Sequence, residues 1–224
     1  LNRALAGRRI VVSAGPTYED LDPVRFLGNR SSGKMGFALA EAAARRGAQV
    51  VLVAGPVHLP TPDGVARIDV RSAAQLREAV LGALPADAYI GAAAVADWTP
   101  RAVSPHKLKK MPGAQILTLE LVRTPDTLAE VAAHPQRPRV VVGFAAETHD
   151  LERYARGKLA EKRLDLIAAN RVGVAGSGFE ADDNTLIVFS RDGAMHTLGP
   201  AGKREVAEAL LDLMALFLDA DERG

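Results

Sequence analysis

An α/β fold, a Rossmann-like and mostly parallel sheet flanked by helices, is predicted for this sequence by three observations. Strand-like apolar runs alternate with helix-like segments for most of the length, the pattern of a parallel sheet covered by helices. Two of these runs, RRIVVSAG at 8–15 and VVVGFAAE at 140–147, are rich in β-branched residues and read as buried strands. No repeat or low-complexity linker interrupts the 224 residues. Residues 1–224 therefore read as a single domain with an embellished edge, able to bury roughly 70–75% of its unfolded surface.

The elements follow in order. The first strand stops at Gly15-Pro16, and a long crossing, PTYEDLDPVRFL, held by Pro16 and Pro23, runs over the sheet edge. A helix spans 33–46, with Phe37, Leu39, Ala40 and Ala43 on its apolar side and Gly47 ending it. AQVVLVAG (48–55) and ARIDV (66–70) are the next strands, and Ser72 caps the helix AAQLREAVLGAL. AYIGAAAVA (88–96) reads as a strand. A basic loop, an edge strand QILTLELV (115–122) and a helix beginning at TPDTLAEVAA come before the 140–147 strand. After Glu147 stand a helix, DLERYARGKLAEKR, and a strand, DLIAANRV. A hairpin then turns at Arg191-Asp192-Gly193, and an apolar helix, KREVAEALLDLMALFLDA, follows.

Composition excludes several function classes. Lys plus Arg number 28 against 27 for Asp plus Glu, so no global field recruits nucleic acid or an acidic membrane. Aromatic residues at 4% leave little for base-stacking platforms. The absence of cysteine removes disulfides, thiolate metal sites and a thiol nucleophile. No apolar run reaches membrane-span length and no signal-peptide pattern opens the chain, so a soluble, cytoplasmic protein is expected. The opening Leu1, in place of Met, fits a domain cut from a longer chain.

GNRSSGKMG (28–36) imitates a triphosphate-binding loop but fails as one. A dozen residues separate it from the first strand, and Met35 stands where a magnesium-ligating hydroxyl belongs. Two serines, a glycine and a helix N-terminus still suit phosphate or carboxylate, with Arg25 and Arg30 near in sequence; an ordinary Ser-capped helix is the alternative. The dinucleotide fingerprint GxGxxG is also missing after the first strand. In AAAVADW (92–98), alanines permit close approach of a ligand. Asp97 could hold ribose hydroxyls or a metal, or be a simple turn residue. SPHKLKKMPGA concentrates Lys107, Lys109 and Lys110 in a segment that reads as a polyphosphate lid or as a solvated loop. Lys158 and Lys162 share a helix face, a like-charge spacing that costs about 0.2–0.5 kcal/mol unless a ligand or solvent relieves it. The five histidines show no metal-ligand spacing. The acidic turn GFEADDN (178–184) reads as hairpin entry before it reads as a Mg2+ site.

The motifs SAGPTYEDLDPVRFLGNRSSGKMG, AAAVADW, HKLKK, TPDTL, GFAAET and KLAEKRLDLIAAN occur in this order. Together they resemble bacterial phosphopantothenate–cysteine ligase of the CTP-using type, over essentially the whole chain. The resemblance implies an enzyme of coenzyme A biosynthesis that joins 4′-phosphopantothenate to L-cysteine through an acyl-cytidylate, giving CMP and pyrophosphate, with Mg2+. It further implies a homodimer built on the edge strand near 115–122. In this family the ligase is commonly fused behind a flavin-dependent decarboxylase domain.

By resemblance, Asn29 contacts the acyl carbonyl or the cytidylate and supports cysteine attack. Arg25 holds the intermediate; Ser31, Ser32 and Gly33 contact its terminal phosphate; Ala93 and Ala94 meet the pantothenoyl part. Asp97, Lys107, Pro125, Asp126, Thr127, Leu128, Phe144, Lys158 and Lys162 match the CTP-binding positions, with Lys107 stabilising transition-state charge. No ligand set for the metal is legible. Arg171 departs from the Asn-Asp pairing expected in that loop. A nicotinamide-dependent oxidoreductase and a non-catalytic CTP-sensing module remain the rival readings.

Overall fold

A computed structural model describes residues 4–110, 112, 113, 115–147, 149–171 and 183–220. The chain begins with β1 (Arg9–Ala14), a small hairpin of β2 (Tyr18–Asp20) and β3 (Phe26–Gly28), α1 (Lys34–Arg45), β4 (Gln49–Ala54) and β5 (Val65–Asp69). It continues through α2 (Ala73–Gly82), β6 (Ala88–Gly91), β7 (Trp98–Pro100), β8 (Leu121–Arg123), α3 (Thr127–Ala133) and β9 (Val140–Glu147). α4 (Leu151–Glu161), β10 (Leu166–Arg171), β11 (Asp183–Ser190), β12 (Met195–Gly202) and α5 (Lys203–Ala220) complete it. The acidic turn at 178–182 and the Arg171 side chain lie outside the described residues.

The sheet runs β12-β11-β10-β9-β6-β1-β4-β5. Six strands from β5 to β10 are parallel; β11 and β12 add an antiparallel hairpin at one edge. From β1 the chain builds outward through β4 and β5, then returns to lay β6 on the other flank of β1. That reversal opens a crevice at the carboxyl ends of β1 and β6, where ligands of open α/β sheets bind. α1 and α5 cover one face around Phe37, Leu39, Leu210 and Met214, and α2, α3 and α4 cover the other around Leu76, Val131 and Leu159.

Local chemistry explains the main joins. Ser72 and Gln75 form a reciprocal capping box that starts α2. α1 sits unusually close to β1, because a Cβ at Gly36 would lie 2.4 Å from the Ala14 Cβ. It begins at Gly33 with φ 73°, a left-handed conformation that suits glycine, and without a side-chain cap, so the Ser-capped alternative does not apply.

Three expectations change. The 88–96 strand stops at Gly91. Beyond Gly91 only an isolated bridge between Pro16 and Ala94 joins this segment to the chain that follows β1. The 115–122 strand appears only as Leu121–Arg123, paired with β7, while residues 115–120 belong to no strand among the described residues. The long crossing after β1 is a hairpin, with the Tyr18 and Phe26 rings stacked at 3.9 Å and Arg71 5.5 Å from each ring. No described helix is long and apolar enough to cross a membrane.

Candidate functional site

A cleft of about 920 Å³ opens at the carboxyl ends of β1, β6 and β9, at the switch point of the sheet. All of the candidate residues except Arg25 and Lys107 line it. The loop 29–33 and the first turn of α1 form one wall. Asn29 is fixed there, its Nδ2 donating to the Val95 carbonyl at 2.9 Å, and the Gly33 N–H donates to Ser31 Oγ at 3.3 Å. The alanines 92–94 form the floor, held to β1's extension by Ala94 N–H donating to the Gly15 carbonyl at 2.8 Å. Two threonines brace the segment beyond. Thr17 Oγ1 accepts from the Ala96 N–H at 3.0 Å, and Thr124 donates to the Ala96 carbonyl at 2.6 Å.

The opposite wall carries the nucleotide candidates. Asp126 caps α3 by accepting from the Ala129 N–H at 3.1 Å, and its other oxygen pairs with Lys162 at 2.7 Å. Lys158 pairs with Glu147 at 2.7 Å. The like-charge strain expected of these two lysines is thus relieved by a carboxylate each, from α3's cap and from the end of β9. Thr127 is buried, and its Oγ1 has no hydrogen-bond partner among the described residues. Phe144 is half-buried, both lining the cleft and packing on the core layer of α1 and α5. Leu128 fills the space that side chains at Gly91 and Gly143 would need, its methyls 3.2 and 3.0 Å from a Cβ at those positions.

Cations outnumber acids around this volume: Arg30, Lys34, Arg123 and Lys203 join the lysine pair, against Asp97 and Asp126. Such a walled cationic cleft focuses field on polyanions even though the whole chain is nearly neutral. Asp97 is exposed at the mouth beside Trp98, over whose ring the Arg123 guanidinium lies at 5.8 Å. Beneath the alanines, Tyr89 is buried with its hydroxyl 2.9 Å from Ser13 Oγ. Burial raises its pKa to about 12; the Ser13 hydrogen bond opposes the rise and the Asp126 charge adds to it. It stays neutral at physiological pH and can donate or accept a hydrogen bond, but not act as a base.

Arg25 and Lys107 lie elsewhere, next to each other's segments. Arg25 donates to Asp22 and, at 2.5 Å, to the Leu108 carbonyl, and Lys107 is exposed beside that anchor. Ser13, Tyr89, Arg123 and Lys203 were missed by the sequence reading. The first two carry the signature of strand interior, and nothing in their spacing marks the others as facing a ligand.

A family model described as the DNA/pantothenate metabolism flavoprotein C-terminal domain matches residues 5–217. The coenzyme A biosynthesis bifunctional protein CoaBC of Vibrio cholerae is 50% identical over 213 residues, 95% of this chain and 53% of that protein. The Bacillus subtilis CoaBC is 50% identical over 223 residues, 98% and 54% of the two chains, and that of Escherichia coli is 47% identical over 217 residues, 96% and 53%. The chain spans about half the length of the curated relatives it matches. The crystal structure of the C-terminal domain of a CoaBC is similar with TM-score 0.82 and 38% identity, covering 97% of this chain and 99% of that one. A Cab2 variant in complex with phosphopantothenate-cysteine shares the fold, at 16% identity and TM-score 0.76, over 97% of this chain and 89% of that one.

Proposed function

The chain belongs to the family of DNA/pantothenate metabolism flavoprotein C-terminal domains, and from that premise we propose that it is a phosphopantothenate–cysteine ligase of coenzyme A biosynthesis, driven by CTP. The observation that carries the reading is a cationic cleft, walled on one side by the Asn29 loop and α1's N-terminus and on the other by the Lys158 and Lys162 pair. Two polyanionic substrates have to meet in one water-poor volume, and two opposed cationic walls suit that task.

In the first step a carboxylate oxygen of 4′-phosphopantothenate attacks the α-phosphorus of CTP, and the bond to the bridging oxygen of pyrophosphate breaks. In the second, the cysteine nitrogen attacks the acyl carbon, the acyl–oxygen bond breaks and CMP leaves, the amine losing its proton. The α1 N-terminus with Ser31, Ser32 and Gly33 receives the pantothenate phosphate, since the helix dipole favours an anion there. Asn29, held by Val95, keeps an amide available to the acyl carbonyl. Lys158 and Lys162 exchange their carboxylate partners for the triphosphate, and Thr127 Oγ1 gains a ligand partner.

Among the described residues no three His, Asp or Glu side chains cluster as a metal cage. Asp97, the carboxylate at the mouth of the cleft, would be the protein's contact to a Mg2+ ion brought in with the nucleotide. When bound, it neutralises phosphate charge. A homodimer belongs to the same reading: Ile116 and Leu117 are 84% and 62% exposed, and a partner strand along 115–120 would cover them. So does a flavin-dependent decarboxylase domain ahead of Leu1, in keeping with the bifunctional relatives.

Pyrophosphate release tests the proposal. CTP, Mg2+ and 4′-phosphopantothenate should give release without cysteine, ATP should substitute poorly, and Asn29→Asp should spare release while blocking the cysteine step. Folded protein that binds CTP but releases no pyrophosphate would overturn the ligase and favour nucleotide sensing.

A further inference from the structure

Asp22 is a buried carboxylate with no place in the cleft, yet it joins two segments that carry site candidates. One oxygen accepts the N–H groups of Val24 at 2.8 Å and Arg25 at 2.9 Å, closing the turn of the β2–β3 hairpin. The other accepts Arg25 Nε at 3.1 Å and, from 86 residues away, the Leu108 N–H at 3.0 Å. Arg25 reaches the same strand of chain through the Leu108 carbonyl. A second tie stands four residues earlier, where the Ser104 N–H donates to the Leu21 carbonyl at 2.9 Å. Lys107 lies between these two anchors, and β3 runs from the hairpin directly into Asn29.

We propose that Asp22 is a positioning residue that locks the Lys107 segment to the hairpin bearing Asn29, so that the two proposed site groups are placed as one unit. The inference rests on the ligase reading for what Lys107 and Asn29 do, and on geometry alone for the tie. Charge and geometry both favour the lock: a buried carboxylate taking four N–H donors from two chain segments, one of them a guanidinium, fixes them far more firmly than a solvated loop contact does. The basic segment is otherwise exposed, and Lys107 has four flexible carbons between backbone and charge. Without a fixed backbone its ammonium would not be pre-oriented.

The test is a double-mutant cycle with hydrogen exchange alongside. Pyrophosphate release is measured for the wild-type chain, Asp22→Asn, Lys107→Ala and the double variant. Leu108→Pro, which deletes the donated N–H and leaves the hairpin whole, covers the case in which Asp22→Asn fails to fold. Each single latch variant should slow release about tenfold, the scale of losing a hydrogen bond to a charged group. On the Lys107→Ala background the latch variants should cost nothing further, and exchange should rise at 104–110. An equal cost with and without Lys107, or unchanged exchange at 104–110, would overturn the proposal. If the wild-type chain releases no pyrophosphate the ligase reading falls, and the exchange measurement still decides the tie.

Discussion

Gly36→Ala and Gly157→Ala are the same chemical change, inside helices of one protein, with expected effects of opposite sign. An alanine in a helix interior gains roughly 0.5–1 kcal/mol over glycine by restricting the unfolded chain. At Gly157 the new methyl meets nothing within 4 Å, so that gain stands and the melting temperature should rise about 1–4 °C, at about 2–4 °C per kcal/mol. At Gly36 the methyl would sit 2.4 Å from the Ala14 Cβ and 3.1 Å from its Cα, and ordinary contact begins at 3.4 Å. α1 or β1 must therefore give by about an ångström. Neither neighbour is a flexible side chain that can swing aside. Overpacking of this kind costs about 1–3 kcal/mol. The upper part of that range applies, which leaves a net loss of about 1–2 kcal/mol and a fall of about 2–8 °C. Since the first turn of α1 forms the 34–36 part of the cleft wall, the displacement should also lower kcat/KM about tenfold to hundredfold at temperatures where the variant is folded. Differential scanning calorimetry and pyrophosphate release on both variants read this out. A Gly36→Ala chain with unchanged melting and turnover would refute the close seating of α1 on β1.

The acid limb of the basic-segment tie follows from Asp22. Burial alone would raise its pKa, but the Leu108, Val24 and Arg25 N–H groups and the Arg25 guanidinium outweigh it and hold the value at about 2, below the ordinary 3.8. Its contribution is complete above pH 3.8 and is lost as pH falls through about 2. Exchange at the Leu108 amide should accelerate in that window in the wild type and show no such step in Asp22→Asn. Lys162→Ala should change stability by less than about 1 kcal/mol, because its pair with Asp126 is partly exposed, yet raise KM for CTP about tenfold. Steady-state kinetics alongside urea unfolding separate the two. Asp165→Ala should destabilise by about 3 kcal/mol in urea unfolding, since it strands the Val141 N–H, now 2.7 Å from the carboxylate, and frees Arg137 and Arg191. Its site contacts should be untouched in the variant that remains folded.

The parallel strands and the helices were legible because their apolar periodicity is set by burial on one face or both; α1, α2, α4 and α5 begin within one residue of their expected starts, and α3 begins three residues after the expected Thr124. The β2–β3 hairpin was not, because strands of three residues carry no periodicity. LTLEL reads as a strand from alternation alone, but alternation names a face and not a partner, and among the described residues only Leu121–Arg123 finds one. At the site, the residues of contiguous motifs were visible, while cross-element pairings were not. Asp126 with Lys162, Glu147 with Lys158 and Ser13 with Tyr89 depend on how elements far apart in sequence are packed. The lysine spacing signalled a charge in need of neutralising, and only the fold supplies the two carboxylates that do it.

The decisive measurement is mass-spectrometric detection of the amide in a mixture of 4′-phosphopantothenate, L-cysteine, CTP and Mg2+, with each component omitted in turn. A ligase of the proposed kind gives the 4′-phosphopantothenoylcysteine mass, with CMP in equal amount, only when all three substrates are present. Formation of the amide without CTP, or its absence with folded and CTP-loaded protein, would contradict it.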